Sequence, residues 1–338
     1  MYEMKQIEII DVTLRDGSNA IDFQFDRPTT RGILKGLDDA GVHFIDLGHG
    51  LGLGASEKSG KKAKLTDEEY QLLARDTVKS ASWGVFFQPK FGSFGDIERA
   101  ALRGASFVRV GTDIDKVREG KEFIVFAKGQ RLQVHACLMK AYAVDISTYV
   151  DRVKEVAQWG ADLVVFMDSA GTMTPDLTRR TLEKAAEKVE VLHGFHAHNN
   201  LDLAIGNLIA AIEGGATFID TSLRGLGRSA GNGATEIMSL VLKKMGRALH
   251  LDWKKLQDTA SRYVDPLKKG EEDKNLETVF GYAGFHSGFE PIIDRVLNEN
   301  RERAVDKRDL IIELCRREKI NVDEKLVTEV LGGMMEGP

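Results

Sequence analysis

The chain has 338 residues, of which 42% are hydrophobic and 29% charged, and its formal net charge is −5. The sequence has neither a basic run that would indicate nucleic-acid binding nor an apolar stretch long enough to span a membrane. The two cysteines, Cys137 and Cys315, lie far apart, which excludes a disulfide framework and fits a reducing compartment. We therefore expect a globular cytoplasmic protein that binds neither nucleic acid nor membranes.

Short apolar segments alternate with amphipathic segments along the first 250 residues. The apolar segments predict eight strands, at residues 7–14, 42–47, 84–88, 106–110, 132–138, 162–167, 191–197 and 217–222. The amphipathic segments predict eight helices, at residues 30–40, 66–80, 94–103, 113–128, 145–158, 175–188, 202–213 and 233–245. Such alternation is typical of right-handed parallel units, and eight of them can close a (βα)8 TIM barrel of the α/β class. An open doubly wound sheet is the alternative, although it would more often have a glycine-rich turn after the first strand.

The pattern changes after about residue 250, where helical periodicity dominates. Helices are predicted at residues 253–265, 289–300, 307–318 and 323–331. The highly charged segment 268–275 is predicted to be a loop or linker. We therefore predict a TIM-barrel catalytic domain over residues 1–250 and a C-terminal helical appendage over residues 251–338.

Polar residues that follow the strands are the candidates for chemistry, because active sites of these barrels form at the C-terminal strand ends. His196 and His198 stand at positions i and i+2 of the seventh strand, so both imidazoles point to one face and could bind a divalent metal. Asp16, at the end of the first strand, could reach the same point and complete a set of two histidines and one carboxylate. The alternatives are a solvated turn for the histidines and a helix N-cap for Asp16.

Three motifs resemble those of the DRE-TIM metallolyase superfamily, which includes isopropylmalate synthases, hydroxymethylglutaryl-CoA lyases and 4-hydroxy-2-oxovalerate aldolases. Residues 11–17 (DVTLRDG) are similar to its strand-one signature, residues 196–199 (HAHN) to its metal motif, and residues 225–232 (GLGRSAGN) to its glycine loop. Within the superfamily, the aldolase branch is the most similar, on residues 48–50 (GHG), 281–284 (GYAG) and 308–314 (RDLIIEL). The resemblance extends over nearly the whole chain.

The resemblance implies reversible cleavage of a 4-hydroxy-2-oxo acid to pyruvate and an aldehyde. Asp16, His196 and His198 would bind Mn²⁺, and a mixed nitrogen and oxygen set would also accept Mg²⁺, Co²⁺ or Zn²⁺. Arg15 would hold the developing enolate oxygen, and Ser169 would help to hold the pyruvate carboxylate. Further candidates for substrate contact are His49, Lys90 and Lys140. The two lysines could bind a second carboxylate or a phosphate, or they could be solvated loop charges.

Two positions depart from the aldolase branch. Asn19 stands where the branch has the histidine that serves as general base, and an amide cannot take a proton at neutral pH. His286 stands where the branch has a tyrosine. Our hypothesis is that His286 takes over proton transfer, since the ordinary pKa of histidine, about 6.5, suits that task. The alternative is that His286 is a polar loop residue and that activity is altered or lost.

Two other functions remain open at the level of the sequence. One is an acyl-CoA-dependent condensing synthase of the isopropylmalate synthase type, although the short helical appendage argues against it. The other is a degenerate barrel that acts as a binding or scaffold subunit, which the substitution at Asn19 motivates. The resemblance also implies an acylating aldehyde dehydrogenase as a partner, and a homo-oligomer is compatible with the sequence.

Overall fold

The protein folds around a closed barrel of eight parallel strands. A computed structural model describes residues 6–248, 250–267, 274–300 and 305–335. The strands pair in chain order, and β1 closes the barrel by pairing with β8. They are β1 (Glu8–Asp11), β2 (Phe44–Leu47), β3 (Ser82–Phe87), β4 (Phe107–Asp113), β5 (Gln133–Met139), β6 (Leu163–Asp168), β7 (Leu192–Ala197) and β8 (Phe218–Thr221). The predicted TIM barrel is confirmed, and the open sheet is wrong.

Helices surround the barrel and continue beyond it. They are α1 (Arg27–Asp39), α2 (Ala55–Lys58), α3 (Asp67–Thr77), α4 (Phe94–Leu102), α5 (Lys121–Gly129), α6 (Ile146–Gln158), α7 (Pro175–Lys188), α8 (Ala204–Glu213), α9 (Thr235–Lys244), α10 (Trp253–Tyr263), α11 (Lys274–Ala283), α12 (Glu290–Glu299), α13 (Lys307–Arg317) and α14 (Glu324–Met335). Among the described residues, no helix is long and apolar enough to cross a membrane.

Several element boundaries differ from the prediction by a few residues. The fourth strand continues to Asp113, where a helix was expected, because Thr112 and Asp113 pair with the end of β5. The predicted loop over residues 268–275 overlaps α11, which begins at Lys274, whereas residues 268–273 lie outside the described residues. Helix α11 was not predicted because its apolar face is short and is interrupted by a glycine, Gly281.

The C-terminal helices have a hydrophobic cluster of their own. It is formed by residues of α11 to α14 and of the loops between them, including Phe285, Ile293, Leu310 and Val327. Helix α10 instead buries Leu256 in the cluster that lies between the barrel and its helices. The predicted domain boundary at residue 250 stays a prediction.

Two contacts fix the C-terminal helices over the barrel. The Asn200 side chain, after β7, donates to the Glu277 carbonyl of α11 at 3.0 Å. Lys140, after β5, donates from Nζ to the Ile320 carbonyl at 2.7 Å. These contacts hold the segment between α11 and α12, which includes His286, above the C-terminal ends of the strands.

Helices α1 and α10 pack through glycines of α1. A Cβ atom on Gly36 would lie 2.9 Å from the Cβ of Thr259 and would also overlap its hydroxyl oxygen. Thr259 cannot rotate away freely, because it is branched at Cβ and its hydroxyl donates to the Lys255 carbonyl at 2.7 Å. This close approach therefore requires a glycine at position 36.

We predict that Gly36→Ala destabilises the protein by about 1–3 kcal/mol, because the added methyl group overpacks the α1–α10 contact. The measurement is the midpoint of urea unfolding followed by circular dichroism. The matched control is Gly129→Ala at the end of α5, where a Cβ would meet no atom within 4 Å. The control should change stability by less than about 0.5 kcal/mol. Equal midpoints for the two variants would contradict the prediction.

Candidate metal centre and active site

Asp16, His196 and His198 meet at the C-terminal end of the barrel. Their candidate ligand atoms all lie within 4.8 Å of one another, and the three residues are at most 3% exposed. Asp16 begins the 3₁₀ turn that follows β1, and His196 lies in β7. Strand β8 stands between these two strands and pairs with both, so the barrel closure brings the three side chains together.

Each imidazole is oriented by a hydrogen-bond acceptor at its Nδ1 atom. His196 Nδ1 donates to Asp220 Oδ2 at 2.9 Å, and His198 Nδ1 donates to the Gly231 carbonyl at 3.2 Å. Burial lowers the pKa of His198 to about 3, against the opposing charge of Asp16. Each Nδ1 therefore carries a proton, and the two Nε2 atoms lie 3.4 Å apart. Nitrogen atoms held this way suit a divalent cation, with the Asp16 carboxylate as the third ligand.

A second set of residues, Glu8, His43 and His250, also has ligand atoms within 4.8 Å of one another, at the opposite end of the barrel. The rings of His43 and His250 are stacked, with 4.4 Å between centroids and 3° between planes. Imidazole lone pairs lie in the ring plane, so the lone pairs of parallel rings do not converge on one point. This arrangement does not suit a metal.

Arg15 is held rigidly beside the metal candidates. Its Nη1 donates to Asp16 at 2.8 Å, and its Nε donates to Asp46 at 3.0 Å. Burial alone would raise the pKa of Asp16, but the neighbouring groups, of which Arg15 contributes most, together hold that pKa well below its usual range. Arg15 Nη2 is buried and has no hydrogen-bond partner among the described residues. The N–H donors of Arg15 Nη2 are therefore left for an oxygen atom of a ligand.

A buried chain of charges connects Arg15 to His196. Arg109 donates from Nη1 to Asp46 Oδ2 at 3.0 Å and from Nη2 to Asp220 Oδ2. Burial would raise the pKa of Asp220, but Arg109 and His196 lower it to about 2. The prediction from the sequence missed Asp46, Arg109 and Asp220 as parts of the site. The sequence carried one indication of them, which was a charged residue among the apolar residues of each of the strands β2, β4 and β8.

A cavity of about 270 Å³ lies in front of the metal candidates. Most of the predicted site residues line it: Arg15, Asp16, Asn19, Lys90, Lys140, Ser169, His198 and His286. His196 lies beneath the cavity floor and is fully buried. His49 is not brought to the cavity. Its ring stacks on Phe23 with 4.1 Å between centroids, and its Nε2 bonds to the Lys61 carbonyl at 2.8 Å.

Hydrogen bonds and ion pairs restrain the other predicted cavity residues to different extents. Lys140 Nζ is paired with Asp113 at 3.0 Å, and the Lys140 backbone N–H donates to Ser169 Oγ at 3.1 Å. Asn19 is tied to the turn, because its amide donates to the Asp16 carbonyl at 3.0 Å. Lys90 is exposed at the mouth of the cavity. The structure therefore leaves Lys90 the freest of these side chains.

Arg228, in the loop after β8, is a residue that the site prediction missed. Its backbone N–H donates to Asp16 Oδ2 at 3.2 Å, and its Nη2 donates to the Ser169 carbonyl at 3.3 Å. The loop can close on Asp16 because position 227 is a glycine, where a Cβ would lie 2.8 Å from the Asp16 carboxylate. The guanidinium of Arg228 lines the cavity and contacts the imidazole of His286.

His286 faces the cavity from the segment between α11 and α12. Its Nδ1 accepts from the backbone N–H of Gly288 at 3.0 Å, and its other edge contacts Arg228. Burial and the positive charges of Arg228 and Lys140 lower the pKa of His286 well below its ordinary value. The imidazole is therefore neutral at neutral pH.

Comparison with known proteins agrees with this geometry. Residues 105–262 match the HMGL-like family model. The chain is 38% identical over 327 residues to the 4-hydroxy-2-oxovalerate aldolase of Carboxydothermus hydrogenoformans, covering 96% of both chains. It is 36% identical to the enzyme of the same name from Moorella thermoacetica, again covering 96% of both. The chain belongs to the 4-hydroxy-2-oxovalerate aldolase family. This confirms the resemblance seen in the strand-one and strand-seven motifs.

Solved structures share the fold of this aldolase-family chain at lower identity. The N-terminal domain of a putative aldolase from Bacteroides vulgatus superposes with a TM-score of 0.73 at 21% identity, covering 88% of this chain and 100% of that one. The carboxyl transferase domain of Rhizobium etli pyruvate carboxylase with pyruvate gives a TM-score of 0.76 at 15% identity, covering 99% of this chain and 61% of that one. At these identities the likeness shows the fold alone.

We predict that Asp220→Asn weakens Mn²⁺ binding by about 10–100-fold, because Asp220 fixes the tautomer and the orientation of His196. The measurement is a calorimetric titration of the metal-free protein with Mn²⁺. The control is Asp162→Asn, a half-exposed carboxylate at the other end of the barrel that pairs with Lys128 at 2.7 Å. The control should keep the wild-type affinity. If the Asp220→Asn protein is folded and keeps the wild-type affinity for Mn²⁺, the hydrogen bond between Asp220 and His196 does not contribute to metal binding.

Proposed function

We propose that this family member is a divalent-metal-dependent carbon–carbon lyase that cleaves a 4-hydroxy-2-oxo acid into pyruvate and an aldehyde. The observation that carries the proposal is the meeting of the Nε2 atoms of His196 and His198 with the carboxylate of Asp16. The names of the relatives support the choice of substrate class. Mn²⁺ is our first choice of metal, and Mg²⁺, Co²⁺ and Zn²⁺ suit the same ligands.

We assign each residue around the cavity a separate role in the reaction. When bound by its three ligands, a divalent metal supplies Lewis-acid polarisation of the 2-oxo acid. Arg15 directs its remaining N–H donors at the oxygen that becomes the enolate oxygen, where a preorganised charge lowers the barrier. Ser169 lines the same cavity, where we assign it to the carboxylate of the 2-oxo acid.

Cleavage requires a group that takes a proton from the C4 hydroxyl. The C3–C4 bond then breaks, the aldehyde leaves, and the electron pair remains on the enolate, which is protonated at C3 to give pyruvate. We assign both proton transfers to His286, which takes the proton from the C4 hydroxyl and returns it to C3, because it is neutral and lines the cavity. Asn19 lines the same cavity but cannot take a proton.

The two alternative functions are not favoured by the relatives, which are named as aldolases over nearly the full chain. A dehydrogenase partner, a homo-oligomer and a cytoplasmic location stay predictions. The surface of the C-terminal helices offers one feature that supports a partner: Tyr282 is 72% exposed beside a groove that Ile312 and Met334 line. Co-purification with an acylating aldehyde dehydrogenase, compared between wild type and Tyr282→Ser, tests that surface.

We predict that the protein with Mn²⁺ exchanges the methyl protons of pyruvate with deuterium, followed by NMR. Exchange reports enolisation and needs no aldehyde. Removal of the metal with EDTA should abolish exchange, and Mn²⁺ should restore it. Asp16→Ala should lower the rate by more than about a hundredfold, because a metal ligand is lost. Wild-type protein with Mn²⁺ that exchanges no protons would refute the proposed function, and acyl-CoA-dependent release of thiol would then favour the synthase.

A separate prediction concerns the base. His286→Ala should slow pyruvate exchange by about a hundredfold or more, because general-base catalysis is lost. Since the pKa of His286 is already lowered, the wild-type rate should not fall as the pH drops from about 8 to about 6.5. The control is Ser287→Ala, a neighbour that lines the adjacent cleft and not the cavity. A wild-type rate in His286→Ala would leave the metal proposal intact and exclude His286 as the base.

A further inference from the structure

The wall of the reaction cavity carries more positive than negative side chains. The cationic residues are Arg15, Lys61, Lys90, Lys140 and Arg228, and the carboxylates are Asp16 and Asp113. Both carboxylates are already used, since Asp16 pairs with Arg15 and Asp113 pairs with Lys140. A divalent metal would add further positive charge to the same cavity.

Three of the five cations form no ion pair with any described residue. Lys61 and Lys90 lie over the rings of Phe23 and Phe91, at 5.9 and 4.8 Å from the ring centroids. The half-buried guanidinium of Arg228 meets only neutral partners, which are two imidazoles and a carbonyl oxygen. Positive charges gathered in a partly desolvated cavity repel one another, so this arrangement favours a bound anion.

Of these three unpaired cations, Arg228 contacts the His286 imidazole, and Lys90 lines the same cavity at its mouth. The charges of both also act on the His286 imidazole. The carboxylate of a 2-oxo acid is assigned to the metal, Arg15 and Ser169. Arg228 and Lys90 therefore remain for another part of the substrate.

We propose that the physiological substrate carries a second anionic group, a carboxylate or a phosphate, on its aldehyde half, and that Arg228 and Lys90 bind this group. The inference rests on the proposed aldolase function and names the substrate class for that site. A guanidinium and an ammonium group that line one cavity are suitable donors for either anion.

An adjoining cleft of about 660 Å³ shares Asn19, Lys61, Arg228 and Gly288 with the reaction cavity. Arg228 therefore lies at the boundary between the two, and we place the anionic group there.

The test measures aldol addition to pyruvate with Mn²⁺. In this direction a proton leaves C3 of pyruvate, C3 bonds to the aldehyde carbon, and the alkoxide takes up a proton, so no further reactant is needed. Matched aldehydes separate charge from size: glyceraldehyde 3-phosphate against glyceraldehyde, and succinic semialdehyde against butanal. We expect kcat/KM for at least one anionic aldehyde to exceed that of its neutral match by about tenfold or more. The two pairs also distinguish a phosphate from a carboxylate.

Lys90→Gln should lower the ratio of kcat/KM for the anionic aldehyde to that for its neutral match by about tenfold, because a charge-assisted hydrogen bond is lost. The control is Lys116→Gln, which removes an exposed charge outside the cavity, where Lys116 Nζ donates to Asn321 at 3.0 Å. The control should keep the wild-type ratio.

The outcomes separate this inference from the proposed function. Exchange of pyruvate protons together with an anionic preference that Lys90→Gln reduces supports both. Exchange with equal or better use of the neutral aldehydes, or an anionic preference that Lys90→Gln leaves intact, overturns the subsite and keeps the aldolase. No exchange at all overturns both.

Discussion

The site depends on a buried chain of charges that passes through the barrel. Asp46 and Asp220 are each shared between Arg109 and a residue of the site, Arg15 in one case and His196 in the other. A buried charge is tolerated only when its partners are fixed, because removal of one partner leaves the other without compensation. These contacts link Arg15 and His196 into one unit, because Arg15 cannot move without breaking an ion pair and His196 cannot move without breaking its hydrogen bond to Asp220.

The closed barrel is what makes this chain possible. In the parallel register, Asp220 of β8 stands opposite Ile10 of β1 on one side and His196 of β7 on the other. Side chains of alternate residues point into the barrel, so charges in the middle of β2, β4 and β8 meet at its centre. The same closure leaves only β8 between β1 and β7, which is why Asp16 meets the two histidines.

The barrel and the metal candidates could be predicted from the sequence because both follow from local patterns. Alternating apolar segments indicate the strands, and the i, i+2 spacing of His196 and His198 places both on one face. Arg228 could not be predicted in this way, since the path of its loop is set by contacts with Asp16 that no periodicity encodes. His49 also stands at a strand end, but packing on Phe23 turns its ring away from the cavity. Strand position thus indicates where a residue lies, whereas long-range packing decides where its side chain points.

The departures from the aldolase pattern are Asn19 and His286, and the second of them is in contact with Arg228. A histidine held against a guanidinium is a poor base, because the positive charge opposes its protonation. Burial is the larger cause of the lowered pKa, so an anion bound at Arg228 would offset only the part that the guanidinium contributes. The two proposals meet at this contact, because the charge that would select an anionic aldehyde lies directly against the proposed base.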